Sequence, residues 1–228
     1  MEVQVLASGS SGNCYRISDG ETALLLDCGI PLKRIQSGLD FRLDAISGVL
    51  VTHCHGDHIK AAKDIAGRGI PIFTSQGTMD ACDLSGHFFH TVKSLQQFTV
   101  GTFVVLPFDV EHDAPEPLGF VVKSKVTGEK LLYFTDTYYL KYRFTGINYL
   151  MAECNYSKKT MDENLNPVLK NRIIESHMSL ETLIDMLKAN NFKDLKKVYL
   201  LHLSDTNSDA EYFKREVQAL TGTLVFVC

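Results

Sequence analysis

The sequence predicts a single α/β domain. The chain has 228 residues, 45% of them hydrophobic and 22% charged, enough to enclose one sizeable core. Its first and middle parts read as short strands divided by Gly-rich turns, and its last third alternates helix-period with strand-like apolar patterns. No repeat, low-complexity tract or linker interrupts it, so residues 1–228 are expected to form one domain.

The elements follow in order. Val3, Val5 and Ala7 alternate with polar neighbours as in a half-buried strand. Cys14 to Ile17 and the apolar run Ala23 to Leu26 are two more strands, and Pro31 opens a short helix after Asp27-Cys28-Gly29. Ile46, Val49, Leu50 and Val51 predict a buried strand. Ile59 to Ala66 predicts one helix stopped by Gly67 and Gly69. Ile70 to Phe73 reads as a strand and Gln76 to Leu84 as a helix. Strands are expected around Phe98 and Val100, at Thr102 to Leu106, at Gly119 to Val126 and at Leu131 to Thr135, the last two joined by Thr127-Gly128-Glu129. Asn148 to Glu153 is a further strand, and Tyr156 to Pro167 an irregular polar excursion. Leu180, Leu183, Ile184 and Leu187 mark one helix face, with Ser179 as N-cap. Val198 to Leu203 is a buried strand, Asp209 to Leu220 a helix and Leu224 to Val227 a closing strand.

Charge and cysteine content narrow the function classes. A net charge of −4 does not advertise a polyanion partner, although two bound divalent cations would reverse the sign locally. The six cysteines are scattered without a Cys-x-x-Cys pair, which argues against a disulfide framework or zinc knuckle and fits a reducing cytosol. With no leader-like segment and no apolar stretch long enough for a bilayer, a cytoplasmic protein without a membrane partner is expected.

Chemistry concentrates in His53-Cys54-His55-Gly56-Asp57-His58, which places three imidazoles and a carboxylate directly after a predicted buried strand. Imidazole with carboxylate suits zinc, manganese or iron. Alternation aims His53 and His55 to one side, with Cys54 turned away into packing. Asp57 and His58, at the mouth of the next helix, can face a second ion. His112, Asp136 and His202 each lie where a predicted strand runs out, the usual place for functional groups in layered α/β folds. Together these seven residues make a candidate two-metal site.

This His-x-His-x-Asp-His signature, continued by His112, Asp136 and His202, resembles the metallo-β-lactamase superfamily. The resemblance implies a four-layer αββα sandwich with two divalent metal ions, zinc or manganese with iron also admissible. His53, His55 and His112 would hold one ion, Asp57, His58 and His202 the other, and Asp136 would bridge them. Asp27 matches the family's buried Asp, implying that it orients a ligand; capping the following helix is the alternative. Leu6 to Cys14, Glu153-Cys154-Asn155-Tyr156, Leu169 to Ile173 and Ser176-His177-Met178-Ser179 are similar to the YycJ-like (WalJ) branch, whose members resemble DNA exonucleases. The same region is similar to ribonuclease Z, which implies a catalytic pair at Glu153 and His177.

The chemistry implied is hydrolysis by a hydroxide shared between ions ~3.5–4 Å apart. Phosphodiesters have poor alkoxide leaving groups, so a general acid helps, and His177 would serve, held protonated by Glu153. Asp57 would help orient or deprotonate the water. The turn from Ser8 to Asn13 could bring Ser10 or Asn13 to a phosphate. Lys158, Lys159, Lys170 and Arg172 are candidate backbone contacts, and Tyr138, Tyr139, Tyr142 and Phe144 candidate stacking groups; a solvated face and core packing explain the two sets as well. The first reading is an exonuclease-like phosphodiesterase with DNA as its nucleic-acid partner. The alternative is a small-molecule hydrolase acting on a cyclic nucleotide, a thioester or a lactone. A homodimer is compatible with either.

Overall fold

A computed structural model describes residues 1–228. It divides the chain into two compact units, residues 1–109 with 114–129, and residues 110–113 with 130–228.

Unit 1 is built on a six-stranded sheet. Its strands are β1 (Glu2–Ala7), β2 (Cys14–Ser18), β3 (Ala23–Leu26), β4 (Gly48–Leu50), β5 (Ile72–Thr74) and β6 (Phe89–Thr91). Pairing is antiparallel from β1 to β3 and parallel from β3 to β6. Parallel pairing buries both faces of a strand, which explains why β3 is an unbroken apolar run with all four residues buried. The helices α1 (Leu32–Gly38), α2 (Gly56–Ile59), α3 (Ala62–Ala66) and α4 (Gln76–Ala81) fill the crossovers. Leu25, Val49, Val51 and Ile72 from the sheet region meet Ile35 and Ile65 from helices in one core. Three further strands, β7 (Phe98–Val100), β8 (Phe103–Asp109) and β9 (Leu118–Ser124), form an antiparallel meander.

Unit 2 is a parallel βαβ array. The strands β10 (Lys130–Phe134), β11 (Tyr149–Glu153), β12 (Lys197–Leu201) and β13 (Leu224–Val227) pair in sequence. The segment between β11 and β12 carries α5 (Pro167–Ser176) and α6 (Leu180–Ala189), and α7 (Ala210–Thr221) precedes β13. Ser179 and Asp209 cap α6 and α7 through side-chain oxygens that accept from Thr182 N and Tyr212 N. The carboxyl ends of β10, β11 and β12 lead into Asp136, Glu153 and His202, as those of β3 and β4 in unit 1 lead into Asp27 and His53.

Three local expectations need correction. The helix expected over Ile59 to Ala66 is two short helices. Ala61 N donates to Cys28 O at 3.0 Å, so that amide is taken by the neighbouring loop and the helical ladder breaks. Helix α5 falls on a stretch read only as a motif. Asn166 caps it and Pro167 opens it, but Val168, Leu169 and Ile174 stay exposed, so the apolar stripe that announces a helix is missing. Strand β6 is three residues long, with Phe89 half-buried and His90 and Thr91 exposed, too little for a period-two signal. All six cysteines are free thiols. No helix is long and apolar enough to cross a membrane.

Candidate metal centre

Unit 1 arranges its imidazoles around one carboxylate. Asp27 follows β3 and is fully buried. Its Oδ1 accepts hydrogen bonds from the Thr52 amide at 2.8 Å and the Thr52 hydroxyl at 3.0 Å. Its Oδ2 accepts from His58 Nδ1 at 2.8 Å. Because the carboxylate accepts, His58 carries its proton on Nδ1 and presents Nε2 as a lone pair. Thr52 Oγ1, whose hydrogen goes to Asp27, accepts from His53 Nδ1 at 3.0 Å, which turns His53 Nε2 into a lone pair as well. Asp27 therefore sets the tautomer of His58 directly and that of His53 through Thr52. It caps no helix, since Pro31 holds that position in α1.

The ring centroids of His55 and His58 lie 4.7 and 4.2 Å from that of His53. His53 Nε2 approaches His55 Nδ1 at 3.1 Å, and His58 Nε2 faces Asp57 Oδ2 at 3.4 Å. An imidazole lone pair opposed to a carboxylate oxygen is an arrangement that a cation resolves. Backbone bonds knit the loops that carry these groups: Asn13 N to Asp57 O (2.7 Å), Cys28 N to His58 O (2.8 Å) and Gly29 N to Asn13 O (2.8 Å). A β-carbon at Gly29 would overlap the Asp57 carbonyl, so only glycine lets the loops approach.

Asn13, on the turn before β2, lies against the His58 loop. It is fully buried; its Oδ1 accepts from Gly9 N and Tyr15 Oη, and its Nδ2 reaches Gly9 O and, at 3.2 Å, His58 Nε2. It steadies the His58 loop. Ser10, on the turn beside it, is exposed.

Unit 2 brings together His112, Asp136, Glu153, His177 and His202. His112 Nδ1 donates to the Ser176 carbonyl at 3.1 Å, and its Nε2 points toward Asp136 Oδ2 at 3.7 Å and Asp113 Oδ1 at 3.2 Å. Burial, opposed by Asp136 and Asp113, lowers the His112 pKa, which favours the neutral ring a metal needs. Thr135 Oγ1 donates to Asp136 Oδ1 at 2.7 Å, and the same oxygen lies 3.2 Å from His202 Nδ1. Glu153 is fully buried at the end of β11. Its Oε2 accepts from Thr137 N (3.0 Å) and Met178 N (3.1 Å), and its Oε1 from His177 Nδ1 (2.6 Å) and His202 Nδ1 (3.1 Å). One ligand atom each from Asp136, Glu153, His177 and His202 lie within 4.8 Å of one another. Glu153 accepts four bonds from protein donors and so holds the two imidazoles in direction.

Charge follows the same geometry. Burial alone would raise the Glu153 carboxyl, but the His177 charge and hydrogen bond, with that of His202, outweigh it and hold the pKa below its usual value. Burial alone would lower His177, yet Glu153 outweighs it and holds the imidazole pKa above its usual value. Asp27, Asp136 and His202 share a strained backbone, with φ of 55°, 48° and 53°. Asp and His tolerate this region better than branched residues, but it costs on the order of 1 kcal/mol or more at each position. The donor sets in both units suit divalent metal: imidazoles with fixed tautomers beside carboxylates.

Residues 22–203 match the family model described as a beta-lactamase superfamily domain. The exodeoxyribonuclease YycJ of Bacillus anthracis is 29% identical, across 95% of this chain and 88% of that protein. Among solved structures, the metallo-beta-lactamase fold protein YhfI from Bacillus subtilis superposes with a TM-score of 0.75 at 16% identity, covering 99% of this chain and 95% of that one. Human tRNase Z, short form, superposes with a TM-score of 0.65 at 18% identity, covering 100% and 96%. These likenesses show an α/β sandwich of mixed sheets and helices, the metallo-β-lactamase fold.

Two substitutions probe the scaffold of the site. Asp27→Ala strands the Thr52 amide and frees His58, and should cost on the order of 3–5 kcal/mol in urea unfolding. The isosteric Asp27→Asn should fold but bind zinc roughly 10–100-fold more weakly by competition titration; wild-type zinc affinity would refute the orienting role. Gly29→Ala should lower the unfolding free energy by at least ~1–3 kcal/mol, because the Asp57 loop must retreat. An unchanged urea midpoint would contradict that close approach.

Proposed function

This chain belongs to the metallo-β-lactamase superfamily of metal-dependent hydrolases, and from that premise we propose that it is a two-metal phosphodiesterase that degrades nucleic acid, DNA foremost, from strand ends. One family model runs across both units, which supports reading residues 1–228 as one functional domain. In this reading His53, His55 and His112 hold one divalent ion, Asp57, His58 and His202 a second, and Asp136 serves both. The donor set admits zinc, manganese or iron. Bound there, the ions would acidify water and offset charge on the phosphate. Asp57 orients the attacking water and takes part in its deprotonation. Ser10, exposed on its glycine-flanked turn, is a contact for a phosphate oxygen.

The observation that carries the proposal is the 2.6 Å hydrogen bond between His177 Nδ1 and Glu153 Oε1. Glu153 is anchored by two backbone amides, so it fixes the His177 ring and stabilises its protonated form. Nδ1–H is committed to Glu153, which leaves Nε2–H as the acid for a departing oxygen. A sugar alkoxide needs that proton, whereas the leaving groups of activated acyl substrates leave without it. The name of the Bacillus anthracis relative supports DNA and an exonuclease.

A second reading is favoured by the net charge of −4, which suits a small substrate better than a duplex. The substrate would be a cyclic nucleotide, a thioester or a lactone. Strong turnover of an acyl-glutathione thioester, with end-labelled single- and double-stranded DNA and RNA untouched, would reverse the ranking.

The leaving group tests the acid. His177→Ala should lower kcat on a dinucleotide by roughly 10²–10⁴-fold. It should spare bis(p-nitrophenyl) phosphate, whose nitrophenolate departs unprotonated. Equal losses on both substrates would remove His177 from that role.

A further inference from the structure

We infer that unit 2 carries a pocket for a single nucleobase beside His112, an inference that rests on the nucleic-acid reading above and specifies how a strand is gripped next to the cut. A cavity of about 580 Å³ is lined by His112, Tyr138 and one face of α5. That volume falls in the range of small-molecule sites, which runs from roughly 300 to 1,000 Å³. His112 is a proposed metal ligand, so whatever fills the cavity lies next to the hydrolytic centre.

Tyr138 supplies the stacking face. Its backbone is pinned, with Tyr138 N donating to Glu111 O at 3.3 Å and the preceding Thr137 N donating to Glu153. The residue is nevertheless 43% exposed. Phe144, from the same aromatic cluster, is buried in the protein instead. Every base offers a π-face, and stacking on an aromatic side chain is a sequence-tolerant grip.

The charges lining the cavity select the base over the backbone. Arg172 pairs with Asp113 at 3.8 Å, and Glu111 with Lys141 at 3.9 Å. Glu175, on the same exposed stretch of α5, has no cation within ion-pair distance. Three carboxylates against one guanidinium in the lining disfavour a phosphate. A neutral base is admitted. Its exocyclic amine would donate to Glu175, and Asn171 offers the paired amide donor and acceptor that match an adenine edge.

The test is base-dependent affinity, read without turnover. Zinc-loaded protein is titrated into a fluorescein-labelled phosphorothioate hexamer of deoxyadenosine, and into a strand of the same length and charge whose bases are absent. Fluorescence anisotropy should show the base-bearing strand bound at least roughly tenfold more tightly. Tyr138→Ala should collapse that ratio toward one, and Tyr138→Phe, which keeps the π-face, should restore it. Equal affinity of the wild type for both strands, no binding of either, or a ratio that survives in Tyr138→Ala would overturn the pocket. Hydrolysis of bis(p-nitrophenyl) phosphate by the wild type reports separately on the catalytic reading. Base-dependent binding with no phosphodiester cleavage would sink the nuclease and leave the pocket standing.

Discussion

The hydrogen bonds accepted by the Asp27 carboxylate are what the His53 to His58 segment depends on. An imidazole can offer either nitrogen to a metal, and a freely turning ring offers both. Asp27 removes that freedom twice, at His58 by direct contact and at His53 through the Thr52 hydroxyl. The same carboxylate satisfies the Thr52 amide, which would otherwise be a buried donor without a partner at the end of β4. Its position is set by a left-handed turn of the backbone straight after β3 and by a glycine two residues later that admits the Asp57 carbonyl. Local strain, a close approach and three hydrogen bonds thus serve one purpose: imidazole lone pairs with fixed direction.

Unit 2 solves the same problem with Glu153. This carboxylate too is fully buried at a strand end, too, is anchored by backbone amides and directs imidazoles. The difference lies in what the imidazoles face. The His177 side chain keeps 21% exposure, whereas His202 keeps 3%. One ring reaches solvent and the other stays inside. A single carboxylate thus holds one partly exposed and one enclosed imidazole, as the proposed division between acid and metal ligand requires.

Much of this was legible in the sequence because it rests on local pattern. The apolar runs Ala23 to Leu26, Leu131 to Phe134 and Val198 to Leu201 announce buried strands, and the polar residues just past them, Asp27, Asp136 and His202, are the candidates that strand-end position singles out. The Ser179 cap was equally readable. Other features were not, since they depend on tertiary approach. Nothing in the residue type of Asn13 says that its amide is consumed by Gly9 and His58, nor that Thr52 relays Asp27 to His53. Gly29 reads as an ordinary turn glycine until the Asp57 loop is seen against it. Helix α5 hid because its apolar residues do not gather on one face; of the exposed ones, Val168 lines the groove beside His112.

What ties these pieces to a function is the claim that seven side chains hold two divalent ions. Anomalous diffraction from crystals soaked in manganese or zinc tests it most directly. Two peaks are expected, one within coordinating distance of His53, His55 and His112, the other of Asp57, His58 and His202, with Asp136 reaching both. A single peak caged by Glu153 and His177, or none at the histidine-rich turn, would contradict it.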